Sequence, residues 1–118
     1  MKKKVILVQD NEEILEIMDE ALEDEGFEVT ALLAPKPIEE IEQIKPDAIV
    51  VDDHIKGKKR GSEVIKEVKD NKKTAKVAAV LTSTSGKLPE QAKLCDADDY
   101  IQKPFDLDEM ISVVKRNT

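Results

Sequence analysis

The stretch Lys45-Pro46-Asp47-Ala48-Ile49-Val50-Val51-Asp52 decides how the rest of the chain is read. Four apolar residues in an unbroken run, opened by a Pro-Asp break, fit a short buried strand rather than one face of a helix. Asp52 stands at its exit, and a Lys-rich loop with Gly57 and Gly61 follows. A buried strand that delivers a carboxylate to its end is one way to build a reactive site on a rigid scaffold. The pattern recurs. Val5-Ile6-Leu7-Val8 ends in Gln9-Asp10, Val77 to Leu81 ends in Thr82-Ser83, and Tyr100-Ile101-Gln102 ends in Lys103-Pro104.

Working outward, short apolar runs alternate with amphipathic stretches, as in an α/β domain with a parallel sheet. Strands are predicted at about 4–8, 27–32, 48–51, 77–81 and 99–101. Helices are predicted at 11–25, 38–44, 62–70, 88–94 and 107–116. The first helix carries Ile14, Ile17, Met18, Ala21 and Leu22 on one face, and Gly26 closes it as a C-cap. The third buries Val64, Ile65 and Val68. In the last, Asp106 and Glu109 are placed as a capping box, with Met110, Ile111 and Val114 inward. Cys95 is expected to pack against the sheet. No repeat, low-complexity segment or linker interrupts residues 1–118, which read as one domain.

Composition narrows the function. Hydrophobic residues make up 40% of the chain and aromatics only 3%, so the core is aliphatic. The net charge of -7 argues against nucleic acid and anionic membrane surfaces, which require basic protein surface. One cysteine cannot form an internal disulfide and agrees with a reducing compartment. The apolar stretch behind Lys2-Lys3-Lys4 is too short for a signal peptide, and no run approaches the ~20 residues of a membrane span. The expected location is the cytoplasm.

Right-handed crossovers bring all helix-leading loops of a parallel sheet to one edge, and ligands bind there where the strand order reverses. With order 2-1-3-4-5, Asp10 and Asp52 face each other across that crevice, flanked by Thr82 and Lys103. Two carboxylates and a loop carbonyl suit Mg²⁺, a cation that takes oxygen ligands and keeps several waters. Asp52 suits a nucleophile that forms an acyl phosphate. Lys103, the Thr82 hydroxyl and the Ser83 backbone N–H suit the remaining phosphoryl oxygens.

Val5 to Asp10, Pro46 to Asp52, Val80-Leu81-Thr82-Ser83 and Ala97-Asp98-Asp99-Tyr100-Ile101-Gln102-Lys103-Pro104-Phe105 together resemble the receiver domain of two-component response regulators, the CheY-like family. The resemblance covers essentially the whole chain. It implies a flavodoxin-like fold with five helices about a five-stranded sheet in order 2-1-3-4-5. By the same resemblance Asp52 is the phosphoacceptor, Asp10, Asp52 and the backbone carbonyl of His54 bind Mg²⁺, and Thr82 is the switch hydroxyl. Lys103 is the phosphate-contacting lysine, Tyr100 the aromatic rotor, and Lys103-Pro104 a cis peptide bond. The implied partners are a sensor histidine kinase or phosphotransfer protein, and a downstream protein on the helix 4–strand 5–helix 5 face. The expected form is a monomer, with phosphorylation-dependent dimerisation left open.

The chain departs from the family pattern at three places. Gln9 replaces the first of two acids usual after strand 1, which should weaken Mg²⁺ binding. Lys56 replaces a proline, and Gly61 falls one residue late. Lys56, Lys58, Lys59 and Arg60 are expected to add positive charge beside the site. These departures support the alternative of a degenerate receiver acting as a phosphorylation-independent interaction module. Taken singly, the site residues have plainer readings: Asp10 as an N-cap with Glu13, Asp53 as a solvated neighbour of Asp52, and Tyr100 as packing. Thr84 rivals Thr82 as the strand-end hydroxyl. His54, the one histidine, lacks partners that would give its side chain a role. A flavin phosphate site is disfavoured because Gln9-Asp10-Asn11-Glu12-Glu13 is acidic where free backbone N–H groups are needed. A haloacid-dehalogenase-type phosphatase would need Asp-x-Asp there.

Overall fold

The computed structural model of the chain describes residues 2–55 and 59–118, so the expectations for Lys56, Gly57 and Lys58 lie outside the described residues. Strands and helices alternate in chain order. They are β1 (Lys4–Val8), α1 (Glu12–Asp24), β2 (Glu28–Leu32), α2 (Ile38–Ile44), β3 (Ala48–Asp52), α3 (Gly61–Asp70), β4 (Ala78–Ser83), α4 (Leu88–Leu94), β5 (Asp99–Gln102) and α5 (Leu107–Arg116). All neighbouring strands pair in parallel, in the order β2-β1-β3-β4-β5. The order reverses between β1 and β3, where Val8 pairs with Val51. That register sets the crevice beside Asp10 and Asp52.

Alternation along the central strands feeds two apolar layers. Val5, Leu7, Val50, Val80 and Ile101 pack with Leu15, Met18 and Leu22 of α1 and Met110, Val113 and Val114 of α5. Ile6, Val8, Ile49, Val51, Ala79 and Leu81 pack on the other face with Ile41 of α2, Val64, Ile65 and Val68 of α3, and Leu88 and Ala92 of α4. Cys95 joins this second layer, as expected. Each buried aliphatic side chain contributes roughly 1.5–3 kcal/mol, and the core is mainly aliphatic, with Phe27 buried in the first layer.

Helix ends follow local chemistry. Gly26 takes φ 94°, its N–H donates to the Glu23 carbonyl, and the Phe27 N–H donates to that of Leu22. This is the paired bonding of a Schellman ending, which needs a left-handed residue at Gly26. At α1 the N-cap is Asn11, whose Oδ1 accepts from the Ile14 N–H at 3.1 Å. That removes the capping role considered for Asp10. At α5 the Asp106 carboxylate accepts from the Glu109 N–H at 2.7 Å.

Two inward faces need correction. Ile17 is 51% exposed, and Leu15 takes the buried place. In α5, Val113 is buried and Ile111 only partly so. A helical stripe is wider than one row, and the row that meets the sheet depends on how the helix is rolled. The helix's own periodicity does not specify that roll.

Candidate functional site

Pairing carries β3 and β4 further than their apolar runs suggest. Asp52 pairs with Thr82, and Ser83 with Gln102 of β5. The polar groups therefore sit on the last rungs of the ladder, where the backbone is fixed. Asp52 and Thr82 are 3% and 2% exposed, and Ser83 is fully buried.

Three expected residues converge on one carboxyl group. Asp52 Oδ1 accepts from the Thr82 hydroxyl at 2.9 Å and from Lys103 Nζ at 3.0 Å. Asp52 Oδ2 accepts from the His54 backbone N–H at 3.2 Å. Lys103 is aimed by its own main chain, whose N–H donates to the Ser83 carbonyl at 2.9 Å, and the bond to Pro104 is cis, as expected. Ser83 Oγ accepts from the Ser85 N–H and so shapes the loop after β4. Thr84 is exposed, and the hydroxyl bonded to Asp52 is that of Thr82.

Asp10 reaches the same edge by register, two residues beyond Val8, and is half-buried. Among the described residues its side chain makes no hydrogen bond or ion pair. Gln9 is buried, and its Oε1 accepts from the Asn11 N–H at 3.3 Å. Tyr100 stands on β5 with 41% of its surface exposed. His54 is exposed, and its peptide rather than its ring is engaged with Asp52.

The loop after β3 holds the residues that pattern reading missed. Asp53 is 1% exposed, not solvated. Its Oδ1 accepts from the Ser62 N–H at 3.1 Å, and its Oδ2 accepts from the Arg60 guanidinium. Burial alone would raise the Asp53 carboxyl, but the Ser62 N–H and the Arg60 guanidinium outweigh it and hold it below its ordinary 3.8. Lys59 is paired with Glu67. Lys59 and Arg60 are thus matched by acids, which corrects the expectation of surplus positive charge for these two residues.

Gly61 packs against the strand itself. A Cβ there would lie 2.8 Å from the Asp52 carbonyl carbon and 2.9 Å from the Asp53 Cα, and closer still to the Asp52 carbonyl oxygen. The signal available in the sequence was Arg60-Gly61-Ser62 opening a helix behind two adjacent acids. Its meaning depends on loop closure, which spacing does not specify.

The donors suit a hard cation. Among the described residues no three His, Cys, Asp or Glu side chains cluster as a metal-binding set. The carboxylate and main-chain oxygens at this edge are hard donors of the kind that Mg²⁺ accepts together with water.

A family model described as the response regulator receiver domain matches residues 5–115. The chain belongs to this family. Solved receivers share the fold at low identity. The chemotaxis response regulator CheY4 of Vibrio cholerae is 21% identical, with a TM-score of 0.88 over 100% of both chains. A putative response regulator from Chloroflexus aurantiacus is 23% identical, with a TM-score of 0.86 over 99% of this chain and 98% of that one. The BeF3-activated DrrB receiver domain is 23% identical, with a TM-score of 0.81 over 99% of this chain and 97% of that one; DrrB is from Thermotoga maritima. In this receiver, no described helix is long and apolar enough to cross a membrane.

Proposed function

We propose that this receiver accepts a phosphoryl group on Asp52 from a phosphohistidine of a sensor kinase or phosphotransfer protein, and passes the signal to a protein partner. The observation that carries the reading is the shared oxygen of Asp52. The Thr82 hydroxyl from β4 and the Lys103 ammonium from the residue just after β5 converge on it at the sheet edge. An Asp52 oxygen forms the new P–O bond as the P–N bond of the phosphoimidazole breaks, and the imidazole leaves with the electron pair. Lys103 and Thr82 then turn to the phosphoryl oxygens, joined by the Ser83 backbone N–H.

Receiver domains generally bind Mg²⁺ at their acidic pocket; here Asp10, Asp52 and the His54 carbonyl are the proposed ligands. When bound, Mg²⁺ offsets the repulsion between the acidic pocket and the incoming phosphate. Gln9 leaves one acid fewer than usual and weakens that binding without abolishing it.

Acyl-phosphate formation adds negative charge and three acceptor oxygens, which draw the Thr82 hydroxyl from Asp52 Oδ1 to the phosphoryl group and favour a buried Tyr100. The exposed Tyr100 belongs to the unphosphorylated state in this reading. The surface of α4, β5 and α5 changes with it and selects the downstream partner. Residues 1–118 act as one receiver domain in the cytoplasm, a signalling phosphoacceptor whose chemistry is gaining and losing its own phosphoryl group.

Intact mass spectrometry after incubation with Mg²⁺ and a small acyl phosphate tests this. One added phosphoryl group in the wild type and none in Asp52→Ala is the expected result. An unlabelled wild type, under conditions that label an ordinary receiver, would leave a phosphorylation-independent interaction module instead.

A further inference from the structure

Asp53 and Arg60 do more than begin a helix. A cap for α3 is complete once the Asp53 carboxylate receives the Ser62 N–H. Yet an Arg60 side chain that is 55% exposed also reaches in to a carboxylate that is 1% exposed. The Asp53 main chain is held on both sides as well. Its N–H donates to the Thr82 carbonyl at 2.9 Å, and its carbonyl accepts from the Gly61 N–H at 3.1 Å. Asp53 is therefore fixed at its N–H, its carbonyl and both carboxylate oxygens. It stands between Asp52 and His54, the residue whose N–H holds Asp52 Oδ2. The two described ends of the β3–α3 connection are fastened together at the base of the reaction site.

We infer that the Asp53–Arg60 pair is a positioning device for the cation site: it orients the His54 peptide against Asp52 and so sets the affinity for a divalent cation. The inference rests on the proposed metal role of Asp10, Asp52 and the His54 carbonyl. Neither Asp53 nor Arg60 touches the cation or the phosphoryl group. Their effect passes through the peptide that follows Asp53. Groups that hold a ligand in place commonly change metal affinity by about 10–100-fold when removed.

Calorimetric titration with Mg²⁺, on the wild type, Arg60→Gln, Asp53→Asn and the double variant, separates this role from its rivals. Each single variant is expected to raise the Mg²⁺ dissociation constant by roughly tenfold. The double variant should be no worse than either single one, because both remove the same pair. Arg60→Lys should recover part of the affinity.

Opposite shifts, with Arg60→Gln tightening and Asp53→Asn weakening binding, would mean that only net charge matters and would overturn the inference. Unchanged dissociation constants with a lower melting temperature would reduce the pair to a helix cap. If Asp53→Asn fails to fold, the exposed Arg60 variants decide alone. A wild type that binds no Mg²⁺ overturns the metal site and this inference together; a binding wild type with unaltered variants overturns this inference alone.

Discussion

Lys103 Nζ stands 3.0 Å from Asp52 Oδ1 although 51 positions separate the two residues. The ammonium belongs to the residue that follows β5, whose own N–H is tied to the Ser83 carbonyl, so it arrives at a fixed place. Lys103→Ala removes that cation from a carboxyl that is 3% exposed. Loss of one aimed charge-stabilising group commonly costs about 10²–10³ in rate. Phosphorylation by a small acyl phosphate, followed by intact mass over time, should slow by at least roughly tenfold, while the circular dichroism spectrum is retained.

Thr82→Val tests the second donor on the same oxygen. Valine keeps the volume and the strand preference, but it cannot donate to Asp52 Oδ1. Hydrogen bonds to charged groups contribute about 1.5–3 kcal/mol, and that loss is expected in urea unfolding at neutral pH. Thr82→Ser should retain most of the bond and lose less stability.

Gly61→Ala places a methyl group against the β3 backbone at Asp52 and Asp53, where neither neighbour can yield. A destabilisation of about 1–3 kcal/mol or more is expected, together with slower phosphorylation, because the displaced backbone is that of Asp52. Gly86→Ala is the control, since nothing lies within 4 Å of a Cβ there. It should change neither property.

Acid sensitivity follows from two carboxylates. Burial would raise Asp53 and Asp99, but their partners hold both below the ordinary 3.8: Ser62 and Arg60 for Asp53, and Arg116, Asn117 and the Tyr100 N–H for Asp99. A carboxyl with a depressed folded-state pKa contributes stability that is present above its unfolded value. That contribution is lost as pH falls through the folded value. Urea midpoints are therefore expected to hold level on their account above about pH 5 and to fall below about pH 4. Asp99→Asn should be less stable at neutral pH and show a shallower acid decline.

Much of this site was legible because its chemistry sits on strand ends. Buried apolar runs marked β1, β3 and β4, with Asp52 and Thr82 directly behind the second and third runs and Asp10 two residues behind the first. Those runs stop at the last apolar residue, whereas pairing continues through Thr82 and Ser83, so the polar rungs read as loop. Lys103 stood at the exit of the last strand-like run, but the strand order that brings it to Asp52 entered as a condition that only the resemblance supported. Asp53, Arg60 and Gly61 were not legible, because their roles arise when a loop closes on its own base. Ile17 and Leu15 exchanged places for a related reason. Periodicity names a stripe, and only packing against the sheet selects the buried row.

The most direct measurement is chemical trapping of the phosphoryl site. Phosphorylated protein treated with borohydride converts an acyl-phosphorylated aspartate to homoserine, and peptide mapping locates it. The expected result is homoserine at position 52 and nowhere else, dependent on Mg²⁺ during phosphorylation. Homoserine at position 10 or 53, or none at all in protein that carries the phosphoryl mass, would contradict the assignment of Asp52.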